Sequence, residues 1–153
     1  MSTHICIVTS TRADYGILSD LIRKINSDSF FSLSIIATGT HLSKLHGQTI
    51  KEIRKEGYKN LISIPFYSYK DSDLDIAKNV GMLIEKYSRK LKSIKPDTIM
   101  LLGDRYEIFI SAFVATLLRI PICHIHGGEV TEGAYDDSFR HSITKMSHLH
   151  FVT

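Results

Sequence analysis

TIMLLGDRYEIFISAFVATLLRIPICHIHGGE, residues 98–129, decides the fold. An apolar run, Thr98–Leu102, ends in Gly103-Asp104-Arg105. Tyr106–Leu118 follows, apolar almost all round and long enough for a buried helix. A second apolar run, Pro121–Ile125, ends in His126-Gly127-Gly128-Glu129. Strand, loop, helix, strand is a βαβ unit, whose crossover joins parallel neighbours with a right-handed turn. Both polar loops therefore open on one edge of the sheet, the edge where parallel α/β sheets bind their ligands.

The same alternation runs outward in both directions. Ile5–Val8 reads as a strand ending in Thr-Ser-Thr, and Gly16–Ile25 as a helix with apolar residues at helical spacing. Leu33–Ala37 is a second strand, closed by Thr38-Gly39-Thr40-His41, and Gln48–Glu56 a short helix stopped by Gly57. Leu61–Ile64 is a third strand, ended by Pro65. Leu74–Ile94 is a long amphipathic helix, with Ile76, Val80, Leu83, Ile84, Tyr87, Leu91 and Ile94 on one face. Beyond the opening stretch, Asp136–Met146 is a helix and His148–Val152 a sixth strand. Strands without clean alternation, each followed by a helix, define an α/β chain: a Rossmann-like parallel sheet with helices on both faces. Lys70–Asp75 is the most polar loop and the expected mobile one.

Composition excludes several function classes. At 153 residues, 43% hydrophobic and 23% charged, the chain has the make-up of one soluble domain with a real core. The net charge of +3 is mild, and no basic stripe interleaved with aromatics argues for nucleic acid. The apolar runs are too short to span a bilayer. The N-terminus leads into a strand without a basic, apolar leader, so a cytoplasmic protein is expected. Cys6 and Cys123 each lie inside an apolar strand and read as buried thiols.

Topology then makes a functional claim. In the common order 3-2-1-4-5-6, strands one and four are neighbours whose crossovers run to opposite faces, and ligands bind in the crevice between them. That arrangement places Arg12 and Arg105 across one crevice, near helix N-termini, where two guanidiniums suit a phosphate or diphosphate. The competing reading is a structural ion pair with Asp14, Asp104 or Glu107. Neither GxGxxG nor GxxxxGK[ST] is present, so nicotinamide and P-loop nucleotides have no specific support. Asp104, Glu129, Asp136 and Asp137 fall at the same edge. Carboxylates brought close together ionise at different pH values, so one can act as base while another keeps its proton. For Asp136 and Asp137 the simpler account is complementing a helix dipole, with Asp136 paired to Arg140 at i+4. His124 is flanked by apolar residues and reads as a core histidine. His126 alternates with it, facing the same side, and precedes Gly127-Gly128, where backbone can approach a ligand. His126 is the better acid–base candidate. No Cys or carboxylate stands at ligand spacing from the two histidines, so no metal is expected.

Four blocks carry a resemblance: VTSTRADYGIL at 8–18, ATGTHL at 37–42, GDRYEIF at 103–109 and HIHGGEVTEGAYDDSFRHSITKMSHLHF at 124–151. Together they resemble the hydrolysing UDP-N-acetylglucosamine 2-epimerases of sialic-acid and capsule biosynthesis. That family includes legionaminic-acid variants acting on UDP-N,N′-diacetylbacillosamine. The resemblance implies the N-terminal half of a two-domain, glycosyltransferase-B-like fold with its site in the interdomain cleft. It implies elimination of UDP to a 2-acetamidoglucal, then addition of water to give the 2-epimer, such as N-acetylmannosamine. Neither metal nor nicotinamide is implied as cofactor. Carried over by position, Arg12 and Gly16 resemble loop residues near the nucleotide, Arg105 a diphosphate contact and Asp104 an acid/base. Asp136 and Arg140 fall on a carboxylate-x-x-x-Arg pattern, and Asp137 on a sugar contact.

One departure is that many relatives carry Glu at the place of His126. His126 or Glu129 is therefore expected to take that role. The expected catalytic residues are Asp104, His126, Glu129 and Asp136. The expected substrate-binding residues are Arg12, Gly16, His41, Arg105, Asp137, Arg140 and His141. Family members are more than twice as long, so residues 1–153 are expected to be one Rossmann-like domain without its C-terminal partner, inactive alone. Homo-oligomerisation is also expected. A non-catalytic module binding a nucleotide or sugar phosphate would use the same crevice, and a purely structural or dimerising domain is the third reading.

Overall fold

A computed structural model describes residues 2–65, 72–129 and 136–152. Six strands, β1 (Thr3–Thr9), β2 (Phe31–Ala37), β3 (Leu61–Ser63), β4 (Thr98–Leu102), β5 (Ile122–Ile125) and β6 (Leu149–Phe151), form one sheet. Its order is β3-β2-β1-β4-β5-β6, and every neighbouring pair is parallel. This is the order expected from the alternation of elements.

Among the described residues, five helices cover it: α1 (Arg12–Ser27), α2 (Ile50–Lys55), α3 (Asp73–Ile94), α4 (Tyr106–Leu117) and α5 (Asp136–Met146). Successive strand residues point to opposite faces, and both faces are dry. Ile5, Ile7, Leu33 and Ile35 pack with Leu18 and Ile22 of α1 and Ile50 and Ile53 of α2. Cys6, Val8, Ile36, Ile99 and Leu101 pack with Leu83, Tyr87 and Leu91 of α3, the apolar side of α4 and Ile143 of α5. The helices thus change face between β1 and β4, which puts the switch point there. Burying each of the fully enclosed isoleucines and leucines stabilises the fold by about 1.5–3 kcal/mol. Both cysteines are buried free thiols, and burial pushes Cys6 up to about 12, so it is inert as a nucleophile.

Helix ends depart from the periodicity in instructive ways. α1 begins at Arg12, not Gly16, because Thr11 caps it. The Thr11 side chain accepts from the Asp14 backbone N–H, and Asp14 accepts from the Thr11 backbone N–H, a complete capping box. Of the polar loop expected at Lys70–Asp75, Lys70 and Asp71 lie outside the described residues. Ser72 caps α3, so Asp73–Asp75 are its ordered first turn. α2 is shorter than expected, and no helix among the described residues is long and apolar enough to cross a membrane.

Candidate active site at the switch point

The C-terminal ends of β1, β2, β4 and β5 converge on one edge. At the β1 end, Asp14 Oδ2 accepts from the Ser10 hydroxyl (2.8 Å) and the Thr11 N–H (3.0 Å). The short 3-10 turn Gly39–Leu42 packs against this loop. Gly39 has φ +57, and a Cβ there would lie 2.7 Å from the Ser10 carbonyl oxygen and 3.0 Å from Glu107 Oε1. Only glycine lets β1, β2 and α4 meet this closely.

Arg105, just before α4, reaches this meeting point. Its Nε and Nη2 each approach a Glu107 carboxylate oxygen at 3.3 Å, with Glu107 1% and Arg105 42% exposed. Burial opposes the Arg105 charge, but Glu107, helped by Asp14, outweighs it and holds the guanidinium above its ordinary value. Of the partners considered for a structural pair, Glu107 is the one found. A half-exposed guanidinium on a buried carboxylate keeps free N–H capacity for an anion.

Arg12 does not face it. Its Nε pairs with Glu52 of α2 at 3.3 Å, and its side chain is 75% exposed. The reason lies in the cap: Asp14 folds back onto Thr11, and Arg12, two residues earlier, leaves the helix roughly 200° away. Arg12, Gly16, Tyr15, Ser19, Arg23 and Glu52 instead line a shallow hollow of about 640 Å³ on the α1–α2 side.

His41 also departs from expectation. It is fully buried, with Nε2 2.9 Å from the Thr9 hydroxyl and Nδ1 2.7 Å from the Thr49 hydroxyl. Burial pulls its pKa down, against the opposing charges of Asp14 and Glu52. With both ring nitrogens taken, it anchors the loop and has no atom left for a ligand.

The β4–β5 end carries the other charges. Arg140 of α5 pairs with Asp104 through Nη2 and with Asp137 through Nη1, the latter at 3.5 Å. The i+4 pair with Asp136 is not among these contacts. Asp104 draws the guanidinium across to the β4 loop, and the i−3 neighbour Asp137 lies on that path. Asp136 is half-buried at the start of α5, and His141 is exposed. Arg140 therefore gathers two of the expected carboxylates into one cluster.

β5 ends at Ile125, so His126 does not continue the strand beside His124. It takes a left-handed φ of +57, uncommon for a residue with a Cβ, which turns the chain out of the strand. Its backbone N–H donates to the Phe151 carbonyl, and its Nδ1 lies 2.8 Å from Glu129 Oε1. That contact orients the ring and leaves Nε2 for other chemistry. Gly127, expected to admit a ligand, is filled from behind, since a Cβ would lie 2.6 Å from His124 Nδ1. Gly128, at φ +78, has nothing within 4 Å of a Cβ position among the described residues. His124 is a fully buried core histidine, as expected. Among the described residues, no group of three or more His, Cys, Asp or Glu could hold a metal ion.

Glu107 was overlooked as a functional candidate in its own right. It is the lone carboxylate in the first turn of a helix otherwise apolar all round, and that isolation is the signal that would have found it.

A parallel α/β sheet with a left-handed histidine, a carboxylate–arginine cluster and an arginine at its switch point defines a Rossmann-like domain whose charged and titratable groups gather at one sheet edge. The chain belongs to the UDP-N-acetylglucosamine 2-epimerase family, whose model matches residues 23–153. It is 47% identical, over 97% of its length, to the GDP/UDP-N,N'-diacetylbacillosamine 2-epimerase (hydrolyzing) of Campylobacter jejuni, covering 38% of that protein. It is 38% identical, over 97% of its length, to the UDP-N-acetylglucosamine 2-epimerase of Neisseria meningitidis serogroup B, again covering 38% of that protein. The chain thus spans about two fifths of these relatives. The fold is that of the Neisseria meningitidis UDP-GlcNAc 2-epimerase solved bound to UDP-GlcNAc, with TM-score 0.79, 20% identity, and coverage of 98% of this chain and 40% of that one.

Proposed function

We propose that this chain is the sugar-facing, N-terminal domain of a hydrolysing UDP-sugar 2-epimerase, working in a cleft whose other wall is a second Rossmann-like domain. Such a reaction first removes the C2 proton and breaks the C1–O bond, the electron pair leaving with UDP and a C1=C2 double bond remaining. Water then adds its oxygen to C1, and C2 receives a proton on the opposite face. Arg105 is suited to charge on the leaving diphosphate. The His126–Glu129 pair is suited to moving a proton at C2, and the Asp104–Arg140–Asp137 cluster to the second proton and to orienting the sugar. Asp136, at the start of α5, is a further acid/base candidate and His141 a further sugar contact; Arg12 and Gly16, which line the hollow on the α1–α2 side, are assigned to the nucleotide from the resemblance alone. The observation that carries this reading is the left-handed His126 hydrogen-bonded to Glu129 at 2.8 Å at the end of β5.

Two sugars fit the chemistry, UDP-N-acetylglucosamine and UDP-N,N′-diacetylbacillosamine. The resemblance alone put the first ahead. The 47% identity to the Campylobacter jejuni protein against 38% to the Neisseria meningitidis one favours the second. The complete enzyme is a cytoplasmic homo-oligomer on this reading, and the 153 residues alone bind UDP-sugar weakly and release no UDP.

In a complete enzyme carrying this segment, His126→Ala and Glu129→Gln each lower UDP release and deuterium incorporation at C2 by roughly 10²–10⁴-fold. Unchanged turnover in both variants would remove the pair from the mechanism. Measurable UDP release by the isolated chain would overturn the need for a second domain.

A further inference from the structure

His124 is fully buried, and both of its ring nitrogens are engaged. Its Nε2 lies 2.8 Å from the carbonyl oxygen of Gly103, the residue before Asp104. Its Nδ1 lies 3.1 Å from the hydroxyl of Thr144, one turn beyond Arg140 on α5. A Cβ on Gly127 would fall 2.6 Å from Nδ1 and 2.8 Å from the Thr144 hydroxyl oxygen, so the loop after His126 is pressed onto the same ring. Three segments that carry the site are thus held on one imidazole.

We propose that His124 is a positioning residue: its ring, pinned between the Gly103 carbonyl and the Thr144 hydroxyl, fixes from behind where Asp104 and Arg140 meet. The inference rests on the epimerase reading for its catalytic consequence, though not for the clamp itself.

Hydrogen counting fixes how the clamp works. A carbonyl oxygen only accepts, so Nε2 must carry a proton. Burial pulls the pKa of His124 down, His150 and Arg140 add to that, and the Gly103 carbonyl and Asp104 oppose it. The ring is therefore neutral, with Nδ1 as acceptor. Thr144 has one hydroxyl proton and two acceptors in reach, His124 Nδ1 and the Arg140 carbonyl at 2.9 Å. The Arg140 carbonyl already takes the helical N–H of residue 144. Nδ1 of the neutral ring only accepts, so the single Thr144 hydroxyl proton is shared between Nδ1 and the second lone pair of the Arg140 carbonyl. The ring thereby ties Gly103 to α5 with two directed bonds, and the Asp104–Arg140 pair spans the same gap on the solvent side.

The test has one arm on the chain and one on turnover. In the 15N-labelled chain, the His124 ring signals are those of the Nε2–H tautomer, with a slowly exchanging proton. His124→Leu shifts the Arg140 guanidinium resonances, and His124→Gln, whose amide can still donate to Gly103, leaves them near their original place. Thr144→Val, which keeps the volume and removes the donor, shifts them in the same direction as His124→Leu. In the complete enzyme, His124→Leu lowers kcat by roughly 10²-fold with KM within about twofold, the cost of misplacing reacting groups by an ångström. His124→Gln recovers most of that loss. An Nδ1–H tautomer, Arg140 signals indifferent to all three variants, or equal kcat losses for Leu and Gln would overturn the proposal. If the chain shows the clamp while His126 and Glu129 prove dispensable for turnover, the reaction assignment fails and the clamp stands.

Discussion

At the β1–β2 end of the active edge, Thr9, Ser10, Thr38 and His41 are buried, and their side chains are hydrogen-bonded within that end. At the β4–β5 end, Asp104, His126 and Glu129 are partly exposed and held in ion pairs or charge-assisted hydrogen bonds. Buried, mutually hydrogen-bonded side chains at one end make a scaffold. Groups at the other end are charged or titratable and partly open to solvent. Substitutions should therefore lower stability at the first end and turnover at the second.

A pair of left-handed glycines puts the largest numbers on that contrast. Gly39→Ala has to push a methyl against the Ser10 backbone at 2.7 Å while holding φ near +57. Backbone cannot swing aside as a side-chain tip can, so a loss of about 3 kcal/mol or more is expected in denaturant unfolding of the chain. Gly128→Ala, at φ +78 with nothing within 4 Å among the described residues, meets the conformational cost, about 1–2 kcal/mol. Equal losses at the two glycines would mean that the β1–β2 end is no tighter than its counterpart.

Acid probes the scaffold next. His41 and His124 are both buried, with pKa values pulled below the ordinary 6.5. Below about pH 6.5 the unfolded chain takes up protons that the folded one refuses, so stability falls as the pH drops. The stabilisation is complete above the unfolded value and is lost on the way down to the folded one. Each histidine contributes a slope of up to about 1.4 kcal/mol per pH unit in that window. Unfolding free energies measured from pH 7.5 to 5 should show it, and His41→Gln should remove part of it. A flat profile through that window would show that the rings charge freely inside the fold.

The strand order and switch point were legible because long apolar runs alternating with helical periods leave few right-handed parallel solutions. The loops were legible as places but not as geometry. Asp14 and Thr11 form a capping box that the spacing T-x-x-D announces, yet its consequence for Arg12, turned away from Arg105, needs the helix drawn in three dimensions. Helical spacing pairs Arg140 with Asp136, the i−4 neighbour. Its partner Asp104 lies 36 residues back, beyond any local rule. His41 reads as a substrate-binding residue of the segment closing β2, yet Thr9 and Thr49, from two other segments, close over it. Periodicity reports which face a residue takes within its own element, and these contacts are made between elements.

The smallest effect tests where Arg12 belongs. Its pair with Glu52 joins two side chains that are 75% and 50% exposed, so solvent screens most of the attraction. Glu52→Gln should change the unfolding free energy by less than about 0.5 kcal/mol. If Arg12 serves the nucleotide, removing a competing carboxylate leaves it freer to do so. In the complete enzyme, KM for the UDP-sugar should then stay level or fall, and Arg12→Ala should raise it. A stability loss well above 1 kcal/mol for Glu52→Gln, with KM indifferent to Arg12→Ala, would place Arg12 in the scaffold. The diphosphate would then be left to Arg105 alone on this side of the cleft, with Glu107 as the carboxylate that holds it there.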